Sequence, residues 1–241
     1  MMNIDAADGL LQERLTEYGI RSSEEQRRML LQHLDLVLKK NEVLNLTRIT
    51  EPNKAIDLHI LDSLLIYPRF SETSGTFIDI GTGAGYPGIP LAIMSGRNGV
   101  LMDSVSKKIT ACEEFIDALG LHKRLECTNE RAEAYALTHK KAFGAVVARA
   151  VAPLGILIEY ASPLLSDHGA LIVTKGRLSD EECSQGNKTA DICGMEIVSR
   201  ETIELPSDGG HREILEYRKT KVPKVDLPRP IGEAKKHPLA H

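Results

Sequence analysis

Apolar residues recur at helical spacing through the first seventy positions. Leu10, Leu11, Leu15 and Tyr18 form one such set, which stops at Gly19. Ser22 followed by Glu25 has the spacing of a capping box, and behind it Leu30, Leu34, Val37 and Leu38 share one face of a second helix. A loop over residues 41–52 separates these from a third helix, predicted over 56–67 and ended by Pro68. The pattern changes at Phe77-Ile78-Asp79-Ile80, a short apolar run of the kind that forms a buried parallel strand. Gly81, Gly83 and Gly85 interrupt it, and Ile89, Leu91, Ala92, Ile93 and Met94 resume as a helix.

From there strands and helices alternate. Strands are predicted at 100–102, 125–128, 145–147 and 170–174, ending respectively at Asp103, before Arg131-Ala132-Glu133, at Arg149 and at Lys175-Gly176. Helices are predicted at 107–119, stopped by Gly120, from Arg131 onward, at 153–165 and at 179–193, with two last strands at 196–203 and 214–217. Five strand–helix units and a terminal strand pair predict an α/β fold: a mostly parallel seven-stranded sheet, helices on both faces, and an N-terminal helical extension. The chain divides into that extension (1–70), the α/β domain (71–220) and a proline-containing basic tail (221–241).

Composition narrows the class. With 241 residues, 42% of them hydrophobic, the chain can bury one good-sized core with an appended piece. No apolar run reaches membrane-spanning length, and the acidic start lacks a secretory signal, so a cytoplasmic protein is expected. Cys112, Cys127, Cys183 and Cys193 form no C-x-x-C pair, so they read as reduced thiols and no metal site is expected. The net charge of −4 is uneven: seven Lys or Arg against two acids from Arg218 onward give +5, which leaves −9 elsewhere. This asymmetry suggests that the tail, Arg229 included, is an extended basic arm for RNA, held from folding back by its prolines and apart from the glycine pocket.

Two ligand classes fit the glycine stretch. From Gly83 it reads G-x-G-x-x-G, the dinucleotide fingerprint; from Asp79 it reads Asp-x-Gly-x-Gly-x-Gly, the pattern of S-adenosylmethionine-dependent methyltransferases. The strand carboxylate favours the second. Ligands in such sheets lie beyond the carboxyl ends of the strands, where Asp103, Ala132, Glu133, Arg149 and Lys175 are predicted to stand. Asp103 follows Gly81 by 22 residues, near the spacing of about 20 of a ribose-binding carboxylate. Arg149 and Lys175 at adjacent strand ends suit an anionic partner. The fourth strand ends in Ala148-Arg149-Ala150-Val151, with no Asn/Asp-Pro-Pro-Tyr for exocyclic amines and no cysteine nucleophile for pyrimidine C5. Guanine N7, a lone-pair acceptor with no proton to lose, needs neither. An NAD-dependent oxidoreductase and a non-catalytic ribosome-assembly factor are the alternatives.

These motifs together resemble the RsmG (GidB) family. Asn45-Leu46-Thr47, His59-x-x-Asp62-Ser63, the stretch from Asp79 to Pro90, Asp103-Ser104, Arg131-Ala132-Glu133, Arg149-Ala150 and Lys175-Gly176 occur in that family's order and spacing. The resemblance implies a bacterial cytoplasmic enzyme that uses S-adenosylmethionine to methylate N7 of one guanine in 16S rRNA, so its partner is that RNA or the small ribosomal subunit. It places Gly81, Tyr86, Ala132, Glu133 and Arg149 at the cofactor, to which the glycine fingerprint and the strand-end spacing add Gly83 and Asp103. His59, Asp62, Ser63, Lys175 and Arg229 are candidates for RNA contact, and no catalytic residue is assigned. For His59, Asp62 and Ser63, a polar pocket mouth and a buried hydrogen-bond cluster fit equally well. Lys40 and Leu227 depart from the family pattern, where Trp and Tyr are usual.

Overall fold

The computed structural model describes residues 4–149, 152–206 and 209–240; Ala150 and Val151 of the fourth-strand motif lie outside the described residues. Its strands are β1 (Phe77–Ile80), β2 (Gly99–Met102), β3 (Leu125–Thr128), β4 (Phe143–Arg149), β5 (Leu165–Lys175), β6 (Met195–Leu205) and β7 (Gly210–Lys219). They form one sheet in the order β3-β2-β1-β4-β5-β7-β6. Neighbours from β3 to β5 are parallel, and only β7 runs against its partners. Chain order reverses between β1 and β4, which opens a crevice at the carboxyl ends of those strands.

Both faces of the central strands are buried, so they carry apolar residues at nearly every position. Phe77, Ala145, Val147, Ala170 and Ile172 enter one core, and Ile78, Ile80, Val146, Ala148, Leu171 and Val173 the other. Helices α1 (Ile4–Glu17), α2 (Glu24–Asn41), α6 (Gly88–Ser95) and α7 (Ser106–Ala118) cover the first face. Helices α8 (Ala132–Thr138), α9 (Leu154–Leu164) and α10 (Asp180–Ile192) cover the second. Leu11, Leu15, Leu30, Leu34 and Val37 of the extension are fully buried in the same cluster as the sheet. At roughly 1.5–3 kcal/mol for each such side chain, the extension is part of the domain's own core.

Three local expectations differ from the structure. The capping box of α2 is Ser23 with Gln26, one residue later than predicted: Ser23 Oγ accepts from Gln26 N (3.1 Å) and Gln26 Oε1 from Ser23 N (2.8 Å). The third helix begins earlier, as α3 (Pro52–Ala55) capped by Glu51. It widens into a π-helical turn over Ile56–Leu61 and finishes as α4 (Asp62–Leu64). Pro68 stops nothing; it lies in the first turn of α5 (Tyr67–Ser71), where its missing N–H costs no helical bond.

The tail is the third difference. It folds back onto α9 and forms a short helix, α11 (Glu233–Lys236), with Leu227, Ala234 and Leu239 against the second core. Arg229 makes a two-pronged ion pair with the buried carboxylate of Glu159 (2.8 and 2.6 Å). Lys219, also buried, donates to the carbonyls of Ser162 and Leu165 and so caps the carboxyl end of α9. The tail's prolines turn the chain without preventing it from packing.

Candidate cofactor site

The glycine loop is fixed from both sides. Gly81 N and Thr82 N both donate to Met102 O (2.7 and 2.9 Å), which ties the loop to the end of β2. Gly81 has φ +78°, where a side chain is strained. Asp79, fully buried one turn below, accepts from Gly88 N at 2.8 Å and closes the loop onto α6. Burial pushes the Asp79 carboxyl up to about 7, against the pull of the Gly88 N–H and the charge of Arg149. A Cβ on Gly88 would stand 2.8 Å from Asp79 Oδ2, tighter than packed atoms tolerate. Gly88→Ala is therefore expected to destabilise the chain by about 1–3 kcal/mol, which urea unfolding at neutral pH would detect.

A cavity of about 410 Å³ opens where β1, β2 and β4 end, a volume within the range of small-molecule sites. Gly81, Asp103, Ala132, Glu133 and Arg149 all line it. Asp103 sits at the end of β2 with its carboxylate set by Val105 N (2.9 Å), Gly83 N (3.2 Å) and Lys108 Nζ (3.3 Å). Glu133, in the first turn of α8, accepts from Gly232 N of the tail at 3.0 Å. Its other oxygen lies 3.8 Å from Arg131 Nε. That oxygen and the Tyr160 hydroxyl are buried on the cavity wall, close to each other and to Arg131, and neither makes a well-formed hydrogen bond among the described residues. Two such polar groups on one wall are what a bound polar ligand would satisfy. Tyr160 and Lys235 escaped the sequence reading, the first inside an apolar helix and the second in the tail.

Gly83 and Tyr86 are outside the cavity wall. Gly83 holds Asp103 in place, and Tyr86 lies beneath Arg149. The Tyr86 ring is packed between His33 (centroids 4.5 Å apart) and His59 (5.0 Å, stacked), with Arg149 Cζ 5.3 Å from its centre. Burial pushes the two imidazoles down, His33 to about 3 and His59 to about 4, the latter helped by the charge of Arg149. Both are neutral at pH 7. His33 Nε2 is 2.9 Å from Ala84 O, so it carries the ring proton and donates to the glycine loop.

The five residues predicted to meet RNA are committed to internal contacts. His59 pairs with Thr47 Oγ1 (2.9 Å), and Ser63 donates to His59 O (2.5 Å). Asp62 lies between Arg149 and Arg212, and all three of His59, Asp62 and Ser63 are buried. The buried cluster is the arrangement found. Lys175 Nζ, at the end of β5, donates to Ala152 O (2.8 Å) and Glu182 (2.6 Å), while Arg229 holds Glu159. No group of three or more metal-ligating side chains occurs among the described residues.

Sheet order, glycine loop and the polar cavity at the strand ends define the class: an S-adenosylmethionine-dependent methyltransferase. Among solved structures, a methyltransferase of that class from Methanosarcina mazei has a TM-score of 0.54 with this chain at 17% identity, covering 64% of this chain and 98% of the other, a likeness of fold alone. The family model of GidB, rRNA small subunit methyltransferase G, matches residues 26–209, and the chain belongs to that family. It is 34% identical over 239 residues to the Ribosomal RNA small subunit methyltransferase G of Alkaliphilus metalliredigens, spanning 95% of this chain and 98% of that one. To the protein of the same name from Desulfitobacterium hafniense it is 37% identical over 211 residues, 86% and 87% of the two chains.

Proposed function

We propose that this chain methylates N7 of a specific guanine in 16S rRNA, in the cytoplasm, with S-adenosylmethionine as methyl donor. The observation that carries the reading is the cavity at the strand ends, where bare backbone at Gly81 meets Asp103, Glu133 and Arg149. Asp103 suits ribose hydroxyls, and Ala132, Glu133 and the Tyr160 hydroxyl suit the polar edge of the base. Arg149 supplies a cation for the amino-acid carboxylate. Bound there, S-adenosylmethionine supplies an electrophilic methyl group on a sulfonium.

What the protein's residues then do is mainly alignment. The wall residues would hold that methyl group in line with the lone pair of guanine N7, an atom with no proton to lose. No proton leaves before transfer, so no general base is required. The cysteines offer no alternative route: burial pushes Cys127 and Cys193 up to about 12 and raises Cys112 and Cys183 too, so none is the thiolate that attack on pyrimidine C5 uses. With the predicted RNA residues turned inward, phosphate contact falls to Arg131 and Lys235 at the cavity and to the exposed Arg177, two residues after Lys175. No helix among the described residues is long and apolar enough to cross a membrane.

Mapping methylated guanines in 16S rRNA from cells with and without the gene tests the assignment. One N7-methylguanosine is expected to vanish without the gene and return with it. A methyl group found instead on an exocyclic amine or a ribose oxygen would refute it.

A further inference from the structure

Arg149 ends β4 at the cavity, yet the strand alone does not aim its side chain. Two contacts from the N-terminal extension do so. Nη1 donates to Leu58 O (3.0 Å) in the π-helical turn and to Asp62 Oδ2 (3.1 Å) at its end. The remaining Asp62 oxygen accepts from Arg212 Nε of β7 at 2.8 Å, and Arg212 is itself held by Gly209 O (3.2 Å) and His211 O (2.9 Å). Asp62 is therefore clamped between two strands of the sheet and carries the clamp to Arg149.

The charges do not balance within this cluster. Among the described residues, one buried carboxylate is paired with both guanidinium groups, which leaves these three side chains a surplus of +1. Nη1 of Arg149 is used up by its two acceptors, while Nε and Nη2 make no hydrogen bond among the described residues. The guanidinium lies over the Tyr86 ring, its carbon 5.3 Å from the ring centre. A fork with one prong tied and the other free, on the wall of a cavity, is prepared for an anionic group.

We propose that Asp62 is the positioning residue of Arg149: it holds the guanidinium so that the free N–H groups meet the carboxylate of S-adenosylmethionine. This rests on the cofactor assignment above, but it assigns a role to a residue that makes no contact with the cavity. The π-helical turn matters here because it places the Leu58 carbonyl and the Asp62 carboxylate on the same nitrogen. Such turns often occur where function needs an irregular helix.

The test is calorimetric and uses the full chain with two ligands. S-adenosylmethionine carries the carboxylate; 5′-methylthioadenosine keeps the nucleoside, the sulfur and its methyl group but lacks the amino-acid part and the sulfonium charge. For Asp62→Asn, affinity for S-adenosylmethionine is expected to fall at least about tenfold, equivalent to about 1.4 kcal/mol, and affinity for 5′-methylthioadenosine to stay within about twofold. Arg212→Met, at a partly exposed site, serves if Asp62→Asn does not fold, and should show the same selectivity with a smaller loss. Equal losses for both ligands, or none for either, would overturn the positioning role. Failure of the unaltered chain to bind S-adenosylmethionine would instead overturn the cofactor assignment, and this proposal with it.

Discussion

A chain ending at Lys224 is expected to bind S-adenosylmethionine at least about tenfold more weakly than the full chain and to unfold at a lower urea concentration. The binding loss follows from Glu133. Its Oε1 is held by Gly232 N at 3.0 Å, and Lys235 two residues beyond Glu233 forms part of the same cavity wall. Without them a cavity carboxylate loses its orienting donor, and a hydrogen bond to a charged group is worth about 1.5–3 kcal/mol, which is tenfold or more in affinity. The stability loss follows from Arg229 and Glu159. Their pair lies over α9 with Glu159 almost wholly buried, and removing one partner of such a pair costs about 3–5 kcal/mol. Truncation also exposes the partners of Leu227, Ala234 and Leu239, which adds to that loss. Arg229→Ala in the full-length chain separates the two effects, because it should destabilise while leaving Gly232 and Lys235 present. Calorimetry at a temperature well below unfolding reads the affinity. Unchanged affinity in the truncated chain would mean that the tail rests beside the cavity without shaping it.

That result reverses what charge and proline content suggest, and the reason is physical. Prolines forbid a long helix but not a packed turn, and three apolar residues spaced by seven and five positions show no period to read. A signal was present elsewhere: Glu159 interrupts the run Ile156-Leu157-Ile158, and a carboxylate on the buried face of a helix calls for a cation from another segment. The residues at the strand ends were legible for the opposite reason. Sheet topology sends every strand terminus to one crevice, so Asp103, Glu133 and Arg149 could be placed together from their order along the chain. Topology does not say which of them touches the cavity and which supports it, and Gly83 and Tyr86 turned out to lie behind the wall. The π-helical turn is hidden because a 3.6-residue pattern with one extra residue still reads as a helix over so short a span. The capping box shifted because Ser22-Ser23 and Glu25-Gln26 satisfy the same motif in two registers.

The free energy of unfolding is expected to fall by about 1.2 kcal/mol per pH unit from three buried groups as pH drops from 5.5 to 4.5. His33 and His59 are held neutral by burial, with pKa values near 3 and 4, while the unfolded chain protonates both near 6.5. Their contribution is complete above about 6.5 and is lost as pH falls toward their folded values. Asp79 acts in the other direction. Its folded pKa near 7 lies above the unfolded value of 3.8, so its contribution is complete in acid and is lost as pH rises through 7. Between 4.5 and 5.5 the unfolded chain therefore holds nearly two protons that the folded chain refuses, and the folded chain keeps one that the unfolded chain has released. The difference is about one proton. Removing Asp79's proton should leave nearly two, so Asp79→Asn is expected to lose stability about twice as steeply. His33→Leu removes one histidine from the balance and should flatten the dependence almost to zero over the same window. Urea unfolding of the three proteins at several pH values gives the slopes, and comparing slopes cancels the surface carboxylates common to all. An Asp79→Asn slope parallel to that of the parent would mean that Asp79 is ionised beneath the glycine loop. Its bond to Gly88 would then join a full negative charge to the start of α6.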